Sequence, residues 1–474
     1  MINEKKFSPK DFGIIHFSGI GGIGMSGIAE ILHNLGCKIQ GSDIANNTNI
    51  ERLKKLGVKT IIGQKEDNIS GVSVVVRSTA IKDDNPEIVT ARKANIPVIA
   101  RAEMLKEIMC LKKCITIAGT HGKTTTTSLV AHLLEEAGLK PTVINGGILN
   151  SCNTNAYLGS GEWLVAEADE SDGSFNKLPA DIAVVTNIDA EHMEYYGNFA
   201  NLRQAFKDFI EKIPFYGFAV LCYDHPVVKS LISEIIDRRI ISYGFSEKAD
   251  IFCQNLSLTE KGFKFDVVIN KSKDKEVITD LLLPMYGKHN VSNALSAIAI
   301  CIEMGISKQT IKTSLAKFLG VKRRLTVTGV VNNITVIDDY GHHPIEIEAS
   351  LKAVKEIQQV KQEGRLIAVM QPHRYSRLLD LFNDFSHCVK EADIVFISDI
   401  YAAGEQPISG INKESLVEAI KQSGHNNVYP LTNLNNLAQE LQGYIKAHDT
   451  IVCLGAGDIT KYSNLLPNQL KQVL

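Results

Sequence analysis

The chain has one tryptophan and no surplus of positive charge: 51 Lys and Arg stand against 53 Asp and Glu, a formal net charge of −2. A protein that lives on nucleic acid or on anionic lipid usually shows a basic excess. Neither partner is therefore expected, although a local basic pocket is still allowed. No apolar run approaches the roughly 18 residues needed to cross a bilayer. The opening MINEKKFSPKDF lacks the apolar core of a signal peptide. These absences predict a cytoplasmic protein with no membrane contact. The nine cysteines are odd in number and scattered. Cys110 and Cys114 form the only close pair, without a second pair to complete a zinc site. Cys301 and Cys453 sit in apolar surroundings, as reduced structural thiols would. Short-period repeats and low-complexity segments are also missing.

What is present is ordinary globular material. There are 474 residues, 44% hydrophobic and 22% charged, enough for about three domains. The dominant rhythm is a short apolar strand, a Gly-rich turn and an amphipathic helix, the signature of a parallel α/β sheet. It starts three times. The first start is a strand at 14–17, a turn at 19–24 and a helix with Ile28, Ile31, Leu32 and Leu35 on one face, ended by Gly36. Strands follow at 38–41, 72–76 and 98–100, and Asn85-Pro86 opens a helix between the last two. The second start is the strand at 115–118, with further strands at 163–166 and 182–186. Between 252 and 283 the pattern changes to period two around the charged turn KSKDKE, which predicts an antiparallel insertion. The third start follows Arg323-Arg324, with strands at 334–337, 366–370, 394–398 and 451–454. The expected domains are 1–106, 107–320 and 321–474.

Two of the turns are glycine loops. Gly19-Ile20-Gly21-Gly22-Ile23-Gly24 matches G-x-G-x-x-G between a strand and a helix. Such a backbone approaches a diphosphate closely, and the helix N-terminus supplies N–H donors and positive potential. Asp43, ending the next strand, is placed to accept from a ribose or a base. The motif specifies a diphosphate, as in NAD, without specifying the base beyond it. Gly119-Thr120-His121-Gly122-Lys123-Thr124 is the stronger signal. It is two residues shorter than the usual phosphate loop but keeps the G-K-T end. Lys123 would neutralise the β/γ charge, and the Thr124 hydroxyl would reach Mg²⁺. Thr125 and two more threonines continue the helix despite poor helix propensity.

Acids and histidines cluster at strand ends beyond this loop. Glu167 closes an apolar strand beside it, where a Mg²⁺ ligand is needed. Asp169, Glu170 and Asp172 are either further ligands or a solvated acidic loop. His192, after strand IAVVTNI, is a second metal ligand, a γ-phosphate contact or a structural histidine. Asp339, Tyr340, His342 and His343 sit at a strand-to-helix turn that Pro344 suits. The two adjacent histidines diverge. His373, Arg374 and Arg377 follow strand LIAVM and make a carboxylate or phosphate site, with both arginines expected on one side of a helix.

The segments HFSGIGGIGMSGIA, GTHGKTTTT, VAEADESDGSF, NIDAEHMEYY, YGKHNVSNALSA, RRL, DDYGHHP, QPHRYSR and YAAGEQPISG, in that order over essentially the whole chain, resemble the Mur ligase family. The resemblance implies an α/β protein of three domains: a Rossmann-like domain holding a UDP-sugar, a P-loop ATPase with a small antiparallel insertion, and a Rossmann-like domain that brings the amino acid. UDP thus replaces a dinucleotide at the first loop. The implied reaction joins L-alanine to the lactyl carboxylate of UDP-N-acetylmuramate at the expense of ATP, with Mg²⁺ or Mn²⁺.

Matched by motif, Gly19, Gly21, Gly22, Gly24, Asp43 and Ser78 would bind the UDP-sugar. Gly119, Thr120, His121, Gly122, Lys123, Thr124 and Thr125, with His289, Asn290 and Asn293, would bind ATP. Thr124, Glu167 and His192 would hold the metal. Lys123, Glu167, His192, Arg324, Asp339 and His342 would be catalytic. Tyr340, His373, Arg374 and Arg377 would take the alanine. Several family members hold a second Mg²⁺ with a carbamylated lysine. Lys207 lies at about the right place, or is a surface residue. Three rival readings are a ligase that recycles muropeptides onto the same UDP-sugar, an NAD-linked oxidoreductase argued from the first loop, and a non-catalytic UDP-sugar sensor.

Overall fold

The computed structural model describes residues 13–148, 150, 154–270, 275–361 and 364–474. It contains three sheets. The first has five parallel strands in the order Lys59–Ile62, Lys38–Asp43, Ile14–Ser18, Val72–Arg77, Val98–Ala100. The helix Ile23–Asn34 leaves the first strand and ends as expected. Gly36, at φ +89°, lets its own N–H reach His33 O and that of Cys37 reach Leu32 O, a paired C-terminal cap.

The second sheet has ten strands. Its centre is Lys113–Ala118, flanked by Ile182–Val185 and Trp163–Glu167, both parallel to it. Phe218–Cys222 and Ile240–Gly244 extend one side in parallel. The central strands are buried along their length, so they read as unbroken apolar runs and not as alternation. The period-two segment forms Ile251–Thr259, Gly262–Asn270 and Lys275–Leu283, consecutive in the sheet and turning back over two residues after Thr259. On the other side, the short Ala156–Tyr157 pairs antiparallel with Thr142–Ile144.

The third sheet runs Thr326–Val331, Ile334–Asp339, Thr450–Leu454, Leu366–Met370, Ile394–Ile397, Val428–Pro430. Only the first pair is antiparallel. Apolar clusters cover both faces, one around Leu351, Met370 and Phe385, the other around Val336, Leu441 and Leu466. By contacts the chain divides into two compact units. One comprises 1–254, 266–279 and 292–318; the other comprises 255–265, 280–291 and 319–474. The first two sheets' parallel strands lie in the former and the third sheet in the latter. All eight cysteines among the described residues are free thiols; Cys152 lies outside the described residues.

Candidate active site

The first glycine loop lies at the carboxyl ends of its parallel strands. Gly19 and Ile20 N–H both donate to Ser42 O, at 2.8 and 2.9 Å, and Gly22 N–H donates to Gly19 O. Asp43, which the sequence places to accept from a ribose or a base, accepts Gly21 N–H on Oδ2 at 2.8 Å and Ile44 N–H on Oδ1. The carboxylate therefore shapes the loop, and a sugar hydroxyl would have to share it. Asn47 and Asn49, which sequence reasoning did not single out, donate to Gly21 O. Ser78 N–H donates to Ser18 O, which sets that residue beside Gly19. Arg101 is a further residue missed: it covers Gly24 and reaches to within 3.9 Å of Asp169. A second tie runs from Arg52 to Asn155 at 3.0 Å, and Asn155 donates to Ile23 O.

The second loop is held from below by Asn187, which closes the strand Ile182–Val185. Asn187 O accepts Thr120 N–H, its Oδ1 accepts His121 N–H, and its Nδ2 donates to His121 O. Gly119 and Gly122 have φ of +134° and +81°. A Cβ on Gly122 would stand 2.6 Å from Asn293 Oδ1, and one on Gly119 2.0 Å from Thr186 Oγ1. Only glycine fits either place. The helix Lys123–Glu136 then starts with no side-chain cap, so its first N–H groups point outward as an anion cradle. Its threonines are buried on all sides, and this packing outweighs their propensity.

The chemistry-bearing side chains meet at this helix start. Thr124 Oγ1 donates to Glu167 Oε2 at 2.9 Å, and the same oxygen accepts Gly146 N–H at 2.8 Å. Lys123 Nζ folds back onto Gly119 O and Thr120 O, at 2.6 and 3.0 Å. It pairs with both Glu170 oxygens, at 2.9 and 2.8 Å. Burial alone would lower the Lys123 ammonium; Glu170 and Glu167 outweigh it and hold it above its ordinary value. Burial pushes the Glu170 carboxyl up. The sequence left Glu170 undecided between ligand and solvated loop, and the structure buries it. Asp169 and Asp172 accept the backbone N–H of Ser171 and Ser174 and shape the loop. Glu170, Glu191 and His192 bring one ligand atom each within 4.8 Å of one another. His192 stands at φ +58°, a costly conformation for a non-glycine residue.

Lys207, on the helix Phe199–Glu211, lies 3.7 Å from Glu234 and 3.9 Å from Glu211. Two carboxylates suit an ammonium and oppose an anionic carbamate.

In the other unit, His289 and Asn290 lie on the first turn of the helix Lys288–Glu303. Asn290 Nδ2 donates to Tyr286 O, and burial pushes His289 down. Asp339 is fully engaged: Oδ2 accepts Leu325 N–H, and Oδ1 accepts Gly341 N–H and the Ser350 hydroxyl. It thereby anchors the turn that carries Arg324. Tyr340 lies under both arginines of that turn, 4.6 Å from the Arg323 guanidinium and 5.3 Å from that of Arg324. Arg323 also donates to Gly455 O, which its place beside Arg324 gave no reason to expect. Rings continue from Tyr340 to His342 at 5.2 Å, to His373 at 6.0 Å and to Tyr401 at 5.5 Å. Burial lowers both histidines to about 4, so they are neutral at pH 7. His343 accepts Ile345 N–H and is separate from His342, which contacts Tyr340 O.

Arg377 lies 3.3 Å from His373 Nδ1. The expected helical pairing of Arg374 with Arg377 does not occur. Arg374 stands before the helix Tyr375–Asp380, at φ +70°, so i,i+3 geometry does not apply to it. Glu405, also missed, accepts both Ser376 N–H and the Ser376 hydroxyl and fixes this helix start.

Three family models match the chain: "Mur ligase family, catalytic domain" over residues 14–113, "Mur ligase middle domain" over 117–301 and "Mur ligase, glutamate ligase domain" over 323–457. A UDP-N-acetylmuramate–L-alanine ligase of Rhodospirillum rubrum is 55% identical over 98% of this chain and 96% of its own. One of Bradyrhizobium diazoefficiens is 53% identical over 98% of both. The crystal structure of a UDP-N-acetylmuramate–alanine ligase from Thermotoga maritima superposes with a TM-score of 0.81 at 28% identity, covering 97% of this chain and 99% of that one.

Proposed function

The chain belongs to the Mur ligase family, and on that premise we propose that it joins L-alanine to the lactyl carboxylate of UDP-N-acetylmuramate in peptidoglycan precursor synthesis. It is an ATP-dependent, ADP-forming ligase of a carboxylate and an amine. The observation that carries this reading is the shared name of relatives 52–55% identical over nearly the whole chain.

A carboxylate resists amine attack because its leaving group would be oxide. Transfer of the γ-phosphoryl group of ATP makes an acyl phosphate; the alanine amine then attacks the carbonyl, and phosphate leaves. The protein must neutralise phosphate charge, orient two substrates and exclude water. Domains 1–106, 107–320 and 321–474 divide these tasks in our reading. The first loop holds the diphosphate of the UDP-sugar, with Asp43 keeping Gly21 in place. The uncapped N–H groups of the second loop cradle the phosphates of ATP, and Lys123 exchanges Glu170 for the γ-phosphate. His289, Asn290 and Asn293 serve the adenine side. Arg324 also serves ATP, held by Asp339 through Leu325. Arg377 grips the alanine carboxylate in a planar fork, with neutral His342 and His373 and the Tyr340 ring beside it.

The donor set fits a hard divalent cation. Thr124 and Glu167 offer adjacent oxygens, and His192 stands with Glu170 and Glu191. Thr124, Glu167 and His192 would hold Mg²⁺, or Mn²⁺, which supplies charge neutralisation at the transferred phosphate. Among the described residues no helix is long and apolar enough to cross a membrane. Dependence on ATP suits the cytoplasm.

The test is one incubation with ATP, Mg²⁺ and UDP-N-acetylmuramate, offered a panel of amino acids and the muramyl tripeptide and read by mass spectrometry. An alanyl product is expected. Product with the tripeptide alone would establish the recycling reaction instead.

A further inference from the structure

Behind the first glycine loop lies a carboxylate that none of these steps uses. Glu87, on the helix Pro86–Lys93, is completely buried. Its Oε2 accepts the hydroxyls of Ser18 and Ser42, at 2.6 and 2.8 Å, and its Oε1 accepts Asn68 Nδ2 at 2.7 Å. The Nε2 of His16, equally buried, lies 3.2 Å from Oε2. Gln40 Nε2 lies 3.2 Å from His16 Nδ1. An amide nitrogen can only donate there, so Nδ1 is the acceptor of that contact. Burial raises the Glu87 carboxyl, but the nearby His16 imidazole and the donors Ser18 and Asn68 outweigh it and hold it below its ordinary value.

A buried carboxylate is costly unless fully hydrogen-bonded, and an apolar side chain can fill such a space without that cost. The placement of the donors gives it a use. Ser18 is the last residue before Gly19. Ser42 supplies the carbonyl that holds Gly19 and Ile20 N–H, and its neighbour Asp43 holds Gly21 N–H. Asn68 also donates to Gly63 O, and Gly63 N–H donates to Asp43 O. One carboxylate thus ties together the strand ends on which the loop is mounted.

We propose that Glu87 is a positioning residue for the UDP-sugar, acting through Ser18 and Ser42 on the backbone donors of the first glycine loop. The inference rests on reading that loop as the UDP-sugar site. Calorimetric titration of UDP-N-acetylmuramate and of Mg²⁺–ATP into wild type, Glu87→Gln, Ser18→Ala and Ser42→Ala tests it, with thermal unfolding and steady-state kinetics alongside. Glu87→Gln keeps the shape but loses an acceptor. It should weaken the UDP-sugar by about tenfold, with ATP affinity and kcat at saturation moving less than about twofold. The serine variants should shift the same way by less. A folded Glu87→Gln with unchanged UDP-sugar affinity overturns the proposal. Equal loss of both ligands also overturns it, since it marks a merely structural role. If Glu87→Gln does not fold, the serine variants decide by the same rule. Failure of wild type to bind the UDP-sugar would overturn the proposed function itself, and this inference with it.

Discussion

The Lys123–Glu170 pair makes a quantitative prediction about the empty enzyme. The lysine side chain is 14% exposed and the glutamate 2%, so the pair is shielded from solvent. Removing one partner of a buried ion pair costs about 3–5 kcal/mol. Glu170→Gln keeps the size and one acceptor, and Lys123 keeps Gly119 O and Thr120 O. The expected cost therefore falls to about 2 kcal/mol. For a compact unit of about 300 residues that lowers Tm by about 3 °C. With a non-hydrolysable ATP analogue and Mg²⁺ bound, phosphate replaces Glu170 beside the ammonium, and most of that difference disappears. The substitution thus harms the empty state more than the loaded one, and the variant binds the nucleotide about tenfold more tightly. Scanning fluorimetry of both proteins, with and without the analogue, reads the effect directly. A Tm gap of the same size with and without nucleotide would refute the exchange of partners.

Glu167→Ala should cut turnover severely and weaken its Mg²⁺ dependence, because Glu167 alone among the strand-end acids meets Thr124; Asp172→Ala, which loses only a bond from Ser174 N–H, should do far less, and equal kinetic losses would reassign the acid. Arg377→Ala should raise the alanine KM strongly and leave UDP-sugar affinity unchanged, and Arg377→Lys should fail as well, since a point charge does not fix a carboxylate's orientation. His342 and His373 both have folded pKa values of about 4 against an ordinary 6.5, so between those values the unfolded chain binds protons the native one refuses; stability should fall as pH drops from 6.5 toward 4, and His342→Gln should remove about half of the slope of Tm against pH that the two histidines contribute over that window. Lys207→Ala should retain near-normal turnover, and an activity loss rescued by short carboxylic acids would show that the lysine is carbamylated.

The two glycine loops were legible because everything they need is contiguous. Strand, loop and helix follow within about a dozen residues, and the phosphate donors are successive backbone N–H groups, which no distant contact has to supply. The apolar strands at 115–118, 182–186 and 366–370 were legible for a similar reason: buried on both faces, they read as unbroken runs. The short edge strands Lys59–Ile62, Ala156–Tyr157 and Val428–Pro430 were not, although the equally short Val98–Ala100 was: two to four residues carry little periodicity, and their pairing is set by neighbours.

Side-chain partnerships divide in the same way. The sequence put Glu167, His192 and Asp339 at strand ends, and that placement follows from local pattern alone. It did not distinguish Glu170, buried against Lys123, from Asp169 and Asp172, which turn to their own loop. Nor did it show that Asp43 faces Gly21, that Asp339 holds Leu325, or that Glu87 gathers Ser18, Ser42 and Asn68. Each of these bonds joins segments 14 to 69 residues apart. Which of several similar acids meets a given donor depends on the order and register of strands, and that order exists only once the sheets have closed.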